Sequence, residues 1–168
     1  MKNKHILLSI PALLFLIWLA WYFSDKQVIK RQLTELTWNI NKEKKEPTLE
    51  TGLKLREVKR MLASDVQGVI PQRNYRKTLD RDMAIRYLMY YRDQYETLTV
   101  SFSDLLIELP AKGEATATAT ALVEKKKPQH DLEELSDPIE ILLKKDKEEK
   151  GGREWRLVQA TIPATLVE

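Results

Sequence analysis

Asp104 is a charge inside the run TLTVSFSDLLIEL at 97–109, and an acid in that setting has two uses. Pointing inward, it is a buried carboxyl whose raised pKa suits general acid or base work. At a β-bulge it is turned to water. Val100 and Phe102 share a parity with Asp104, whereas Leu105, Ile107 and Leu109 have the other, so the pattern favours the bulge. Asp65 follows Ser64 at the end of an amphipathic helix, where a carboxylate makes a local turn bond. His5 and His130 are the two histidines and belong to an N-terminal tail and a charged loop, which leaves no histidine pair for a metal or a triad. Cysteine is absent, which excludes thiolate chemistry, disulfides and cysteine zinc sites. There is no Gly-rich phosphate loop, no Ser-x-x-Lys and no HExxH. The expectation is no catalytic residue, no metal and no cofactor. Tyr87, Tyr90, Tyr91 and Tyr95 crowd one helix; they read as half-buried packing with wet hydroxyls or as the wall of a ligand pocket, and packing is favoured.

The elements that position these residues follow from periodicity. Apolar residues at Ile29, Leu33, Leu36 and Ile40 predict a helix over 25–45, flanked by Val28 and Trp38, with Lys26, Lys30, Gln32, Glu35 and Asn39 facing water. Glu46-Pro47 ends it. Thr48 then caps a second helix carrying Leu55, Val58, Met61, Leu62 and Val66, with Lys54 among its water-facing charges. Residues 66–70 read as a short edge strand, and 72–77 as a return strand or loop. Asp80 caps a third helix over 81–95, whose stripe is Ala84, Leu88, Tyr91 and Tyr95, widened by Ile85 and Met89.

Four strands are predicted after it. Residues 97–109 and 115–125 form a hairpin across Pro110-Ala111-Lys112-Gly113, and 139–145 and 155–162 form another across Lys150-Gly151-Gly152-Arg153. In ATATATALV the alanines and Val123 share one face and the threonines the other. Between the hairpins, 125–138 holds two prolines and many charges, and reads as a mobile excursion. The fold class is α+β: a curled antiparallel sheet packed on about three helices.

Upstream, residues 6–23 carry no charge, and a bilayer-crossing helix needs ~20 apolar residues. Trp18, Trp21, Tyr22 and Phe23 crowd its end, where rings favour a membrane interface. The competing reading is a cleaved signal peptide, but these bulky residues stand where a cleavage site needs small ones. The organisation expected is therefore an anchor at 1–23 and one domain at 24–168, held on the periplasmic side of a bacterial inner membrane. Only Lys2 and Lys4 of the 28 Lys and Arg precede Ser24, so the domain balances its 25 acids to within one charge. Balanced, interleaved charge argues against a nucleic-acid partner.

Helices, a short strand pair, a third helix and long strands ending in Gly-Gly-Arg-Glu-Trp-Arg-Leu-Val resemble the nuclear transport factor 2-like superfamily over 25–162. The resemblance implies a cone formed by a curled mixed sheet around helices, with Asp65 nearest the cavity mouth. The superfamily includes isomerases, dehydratases and hydrolases beside domains that only bind, so the fold does not decide the activity. The membrane-tethered arrangement is similar to VirB8-like secretion components and to proteins of mammalian-cell-entry transporters. The function expected is a non-catalytic scaffold or partner-binding module, with a protein partner or second copy on the sheet face. The alternative is an apolar-ligand carrier or isomerase-like enzyme whose cavity is lined by Tyr87, Tyr91 and Trp155, with Asp104 as a further ligand-binding candidate.

Overall fold

The computed structural model describes residues 24–146 and 155–167. The expected anchor at 6–23 lies outside them, as does most of the tip between the last two strands. Among the described residues no helix is long and apolar enough to cross a membrane. They form three α-helices and a six-stranded sheet: α1 (Asp25–Ile40), α2 (Thr48–Met61), β1 (Leu62–Ile70), β2 (Tyr75–Asp80), α3 (Arg81–Asp93), β3 (Thr97–Ala111), β4 (Glu114–Lys126), β5 (Leu132–Lys145) and β6 (Trp155–Thr161).

The stripe of α1 is buried as its spacing predicts, with Ile29, Leu33 and Leu36 at most 5% exposed. The helix stops at Ile40, short of the expected 45. The chain leaves it to cover the open edge of β3: Lys42 and Leu98 exchange backbone hydrogen bonds of 2.8 and 3.0 Å, and the Asn41 side chain accepts from Val100 N at 2.7 Å. Satisfying an edge strand's amides outweighs another helical turn. Gln32 and Asn39 are buried instead of facing water, and Trp38 is exposed.

α2 begins with Pro47 in the cap position and Thr48 already helical, so Thr48 is not the cap. It ends at Met61, and Leu62 and Val66, read as helical, belong to β1. That strand is no edge: β1 lies between β2 and β6, and its pairing with β6 is parallel, which makes the sheet mixed. The true edges are β2 and β3. Asp80 caps α3 as expected, accepting from Met83 N at 2.8 Å. α3 ends at Asp93, so Tyr95 is buried beyond its last turn; Met89, inside the helix, is exposed instead of widening its stripe.

β4 lies between β5 and the edge strand β3. Ala115, Ala117, Ala119, Ala121 and Val123 are all buried, and Ala115 and Ala117 share a core with Ile29, Leu33 and Leu36 of α1. A face of methyl groups is what lets a helix lie close to a sheet. The excursion expected at 125–138 does not exist as such. β4 and β5 pair without interruption from Glu114↔Lys144 to Lys126↔Leu132, leaving 127–131 for the turn. Pro138 is accommodated opposite Thr120, at a level that β6 does not reach, so one of its flanks has no partner.

Candidate functional site

A cavity of about 500 Å³ lies between α3 and the inner face of the sheet. Leu36 and Ile40 of α1 close one side and Leu88 and Tyr91 of α3 another, while Val100, Phe102, Ala121, Val123 and Ile141 supply the sheet wall. The parity change at Asp104 aims Phe102 and Ile107 to the same side, because one extra residue in β3 resets the alternation. Small Ala121 leaves room where a larger residue would fill the space.

The polar groups of the lining are Tyr87, Tyr90, Tyr91, Gln94 and Thr161; among the described residues no carboxylate, histidine, lysine or arginine contributes to it. Tyr91 donates to Leu166 O at 3.1 Å and packs its ring on Tyr95 at 5.1 Å. Burial, and then the hydrogen bond with Tyr95, push the Tyr91 hydroxyl above the ordinary tyrosine range. It is a neutral phenol at physiological pH, with its proton engaged. Tyr87 lies at the border, where Lys77 Nζ donates to its hydroxyl at 3.3 Å. This set can bind an apolar body and offer it a few neutral hydrogen bonds.

Of the four residues singled out from the sequence, the cavity collects two, Tyr87 and Tyr91. Trp155 is 1% exposed and belongs to the core below; its Nε1 donates to Asp25 Oδ1 at 3.3 Å, and its carbonyl accepts from Gln32 Nε2 at 2.5 Å. Asp104 is exposed, has φ 52, and sits at a register shift between Ser103 and Leu106. The bulge turns it out to a separate recess of about 460 Å³ that also touches Pro71, Thr118 and Glu140. Asp65 is in β1 rather than at a helix end, exposed, with Ser64 Oγ 3.4 Å from its carboxylate.

Sequence reasoning missed a buried charge cluster. Glu46 accepts from Lys54 Nζ at 2.5 Å and from Arg92 Nη2 at 2.6 Å, and the three side chains are 2%, 8% and 2% exposed. Arg92 also donates to Asn41 O at 2.9 Å. Burial pushes the Glu46 carboxyl up, but hydrogen bonds from Lys54 and Thr51 and the charges of Arg92 and Lys54 outweigh it, and the net pKa lies below the ordinary value. The cluster clips the α1–α2 connection to α2 and α3. The one signal in sequence was a glutamate before a proline, which reads only as a helix stop.

No family model matches the chain, and no curated protein matches it by sequence. Solved structures do match in three dimensions. A candidate scytalone dehydratase from Novosphingobium aromaticivorans superposes with TM-score 0.63 at 13% identity, covering 82% of this chain and 81% of that one. A protein of unknown function with a cystatin-like fold from Nostoc punctiforme gives 0.58 at 14%, covering 83% and 90%. The fold is the cystatin-like one of these proteins. A candidate dehydratase of the nuclear transport factor 2-like family from Streptomyces avermitilis also superposes, with TM-score 0.58 at 14% identity over 83% of this chain and 95% of that one. At such identities the likeness shows the fold alone, so chemistry has to be read from this cavity.

Proposed function

We propose that this chain is a membrane-tethered binding module that receives a neutral apolar group in its cone without transforming it. The observation that carries the reading is the cavity's lining: about 500 Å³ of aliphatic and aromatic wall whose polar members are tyrosines, Gln94 and Thr161. Acid–base catalysis needs a group that exchanges a proton near neutral pH. Tyr91, with its raised pKa, does not. The tether rests on the uncharged run at 6–23 and its aromatic end.

The test is a thermal-shift screen of neutral hydrophobic compounds, followed by Ala121→Phe to fill the cavity. A ligand at ~100 times its Kd adds about 2.7 kcal/mol of stability. Binders should raise the melting temperature of the parent and lose that effect in the variant, with far-UV circular dichroism confirming that the variant folds. Shifts from anionic or cationic compounds only, or shifts that survive Ala121→Phe, would sink the reading.

A second reading is favoured by the outer sheet face, where Thr116, Thr118 and Thr120 lie beside Leu106 and Leu122, 56% and 41% exposed. A second copy of the chain would cover these leucines. Sedimentation of the detergent-solubilised chain should give a dimer that Leu122→Lys dissociates; a monomer at all concentrations removes it.

A further inference from the structure

The end of the domain from which the N-terminal run departs carries an apolar hairpin tip. Asp25 is two residues past Phe23, and two residues span at most ~8 Å. Asp25 is itself pinned: its Oδ1 accepts from Lys145 Nζ at 2.9 Å and from Trp155 Nε1 at 3.3 Å. Lys145 N in turn donates to Gly113 O at 2.9 Å, in the β3–β4 turn. Asp25, Leu109, Ala111 and Lys112 all line one recess of about 790 Å³. The tip and the start of α1 are therefore neighbours held together by side-chain and backbone bonds, with no linker to separate them.

The tip has no structural reason to be apolar. Leu109 is 40% exposed, and Pro110 and Ala111 are exposed beside it. Around it, Lys26, Lys112 and Lys144 are exposed cations, and Glu108 and Glu114 exposed anions, of which Glu114 pairs with Lys144 at 3.2 Å. Asp25 pairs with Lys145, and Asp146 with Arg156. Among the described residues that leaves Lys26 and Lys112 against Glu108, a small positive surplus around an apolar point. The headgroup layer of a bilayer is roughly 5–8 Å deep on each side of the hydrocarbon. The two-residue step from Phe23 to Asp25 is long enough to cross that depth.

From this placement we infer that the β3–β4 tip, Leu109 to Lys112, is a membrane-docking surface. It dips its apolar residues into the lipid headgroup layer with Lys112 at the phosphates, so that the domain stands end-on to the bilayer. The inference rests on the tether proposed above. β4 has 13 residues, so at ~3.3 Å each the opposite turn at 127–131 stands roughly 40 Å higher.

The chain has no cysteine, so single labelling sites can be introduced cleanly. Full-length Ala111→Cys, Gln129→Cys and Ala12→Cys, each carrying a bimane label, are placed in nanodiscs of phosphatidylcholine and phosphatidylglycerol. The lipids carry a nitroxide on the headgroup or on the acyl chain. The expected result is loss of most emission from the Ala111 site with headgroup nitroxide, loss at the Ala12 site with acyl nitroxide, and none at Gln129. Quenching at Ala12 without quenching at Ala111 overturns the docking surface and leaves the tether standing. Equal quenching at Ala111 and Gln129 overturns the end-on stance. An unquenched Ala12 removes the tether, and the docking surface with it.

Discussion

Glu46, Lys54 and Arg92 hold three charges out of water within one hydrogen-bonded cluster, and such a cluster is unforgiving of a missing member. Removing one partner of a buried ion pair costs up to ~3–5 kcal/mol, and here somewhat less, because Lys54 keeps Glu50 at 2.9 Å and Arg92 keeps Asn41 O. Glu46→Gln should lower the urea midpoint by a corresponding amount at pH 7. The folded pKa of Glu46 is lowered, so its contribution is complete above the ordinary value of 4.5 and is lost as pH falls through the lowered value. Chemical melts at successive pH values below 4.5 should therefore show parent stability falling, with a shallower slope in Glu46→Gln. Asp104 makes a separate prediction. A left-handed backbone costs a non-glycine residue ~1–2 kcal/mol, so Asp104→Gly should be neutral or stabilising, and Asp104→Val destabilising by about that amount. Equal melting temperatures for the two would show that the bulge does not hold φ positive. Neither Arg92 nor Lys54 was legible as a core residue, since an arginine or lysine on a helix reads as solvated until its partner from another element is known.

At the scale of elements, α1 lies closest to β3, and β4 supplies the small buried residues of the core they share. Ala117 is 1% exposed and shares its core with Leu33 and Leu36. Ala117→Leu inserts volume into a filled space, and overpacking of this kind costs ~1–3 kcal/mol. Thermal melts should show a lower midpoint for Ala117→Leu, while Thr118→Leu on the other face leaves it near the parent. The alternation that fixes these faces was readable directly, as was the bulge in β3, because strand period is a local property. The status of β1 was not. A five-residue run that is β-branched at three positions and closed by a proline looks like an edge, and only the arrival of β6 from far later along the chain makes it interior. The stop of α1 at Ile40 had the same origin, since Asn41 and Lys42 are drawn off to the edge of β3.

Taken whole, the described residues form one sheet with helices packed on its inner face, and the two clusters of the core share Ile40, Phe102 and Ile139. A common core of this kind unfolds as a unit. A fragment beginning at Ser24 should therefore fold without the N-terminal run and give coincident urea transitions by far-UV circular dichroism and near-UV tryptophan signals; separated transitions would contradict a single domain. The sequence by itself determined the stripe of α1, the existence of the β3–β4 hairpin, although Pro110 and Ala111 belong to β3 and the turn is Lys112-Gly113, and the faces of β4, because periodicity and turn chemistry act over a few residues. Tertiary structure alone decided which tyrosines meet around a cavity, that Trp155 sits beneath it and Asp104 outside it, and that three charges from distant segments share one buried site. Those outcomes depend on which surfaces the fold brings face to face, and burial of a side chain is set by neighbours that its own stretch of sequence does not contain.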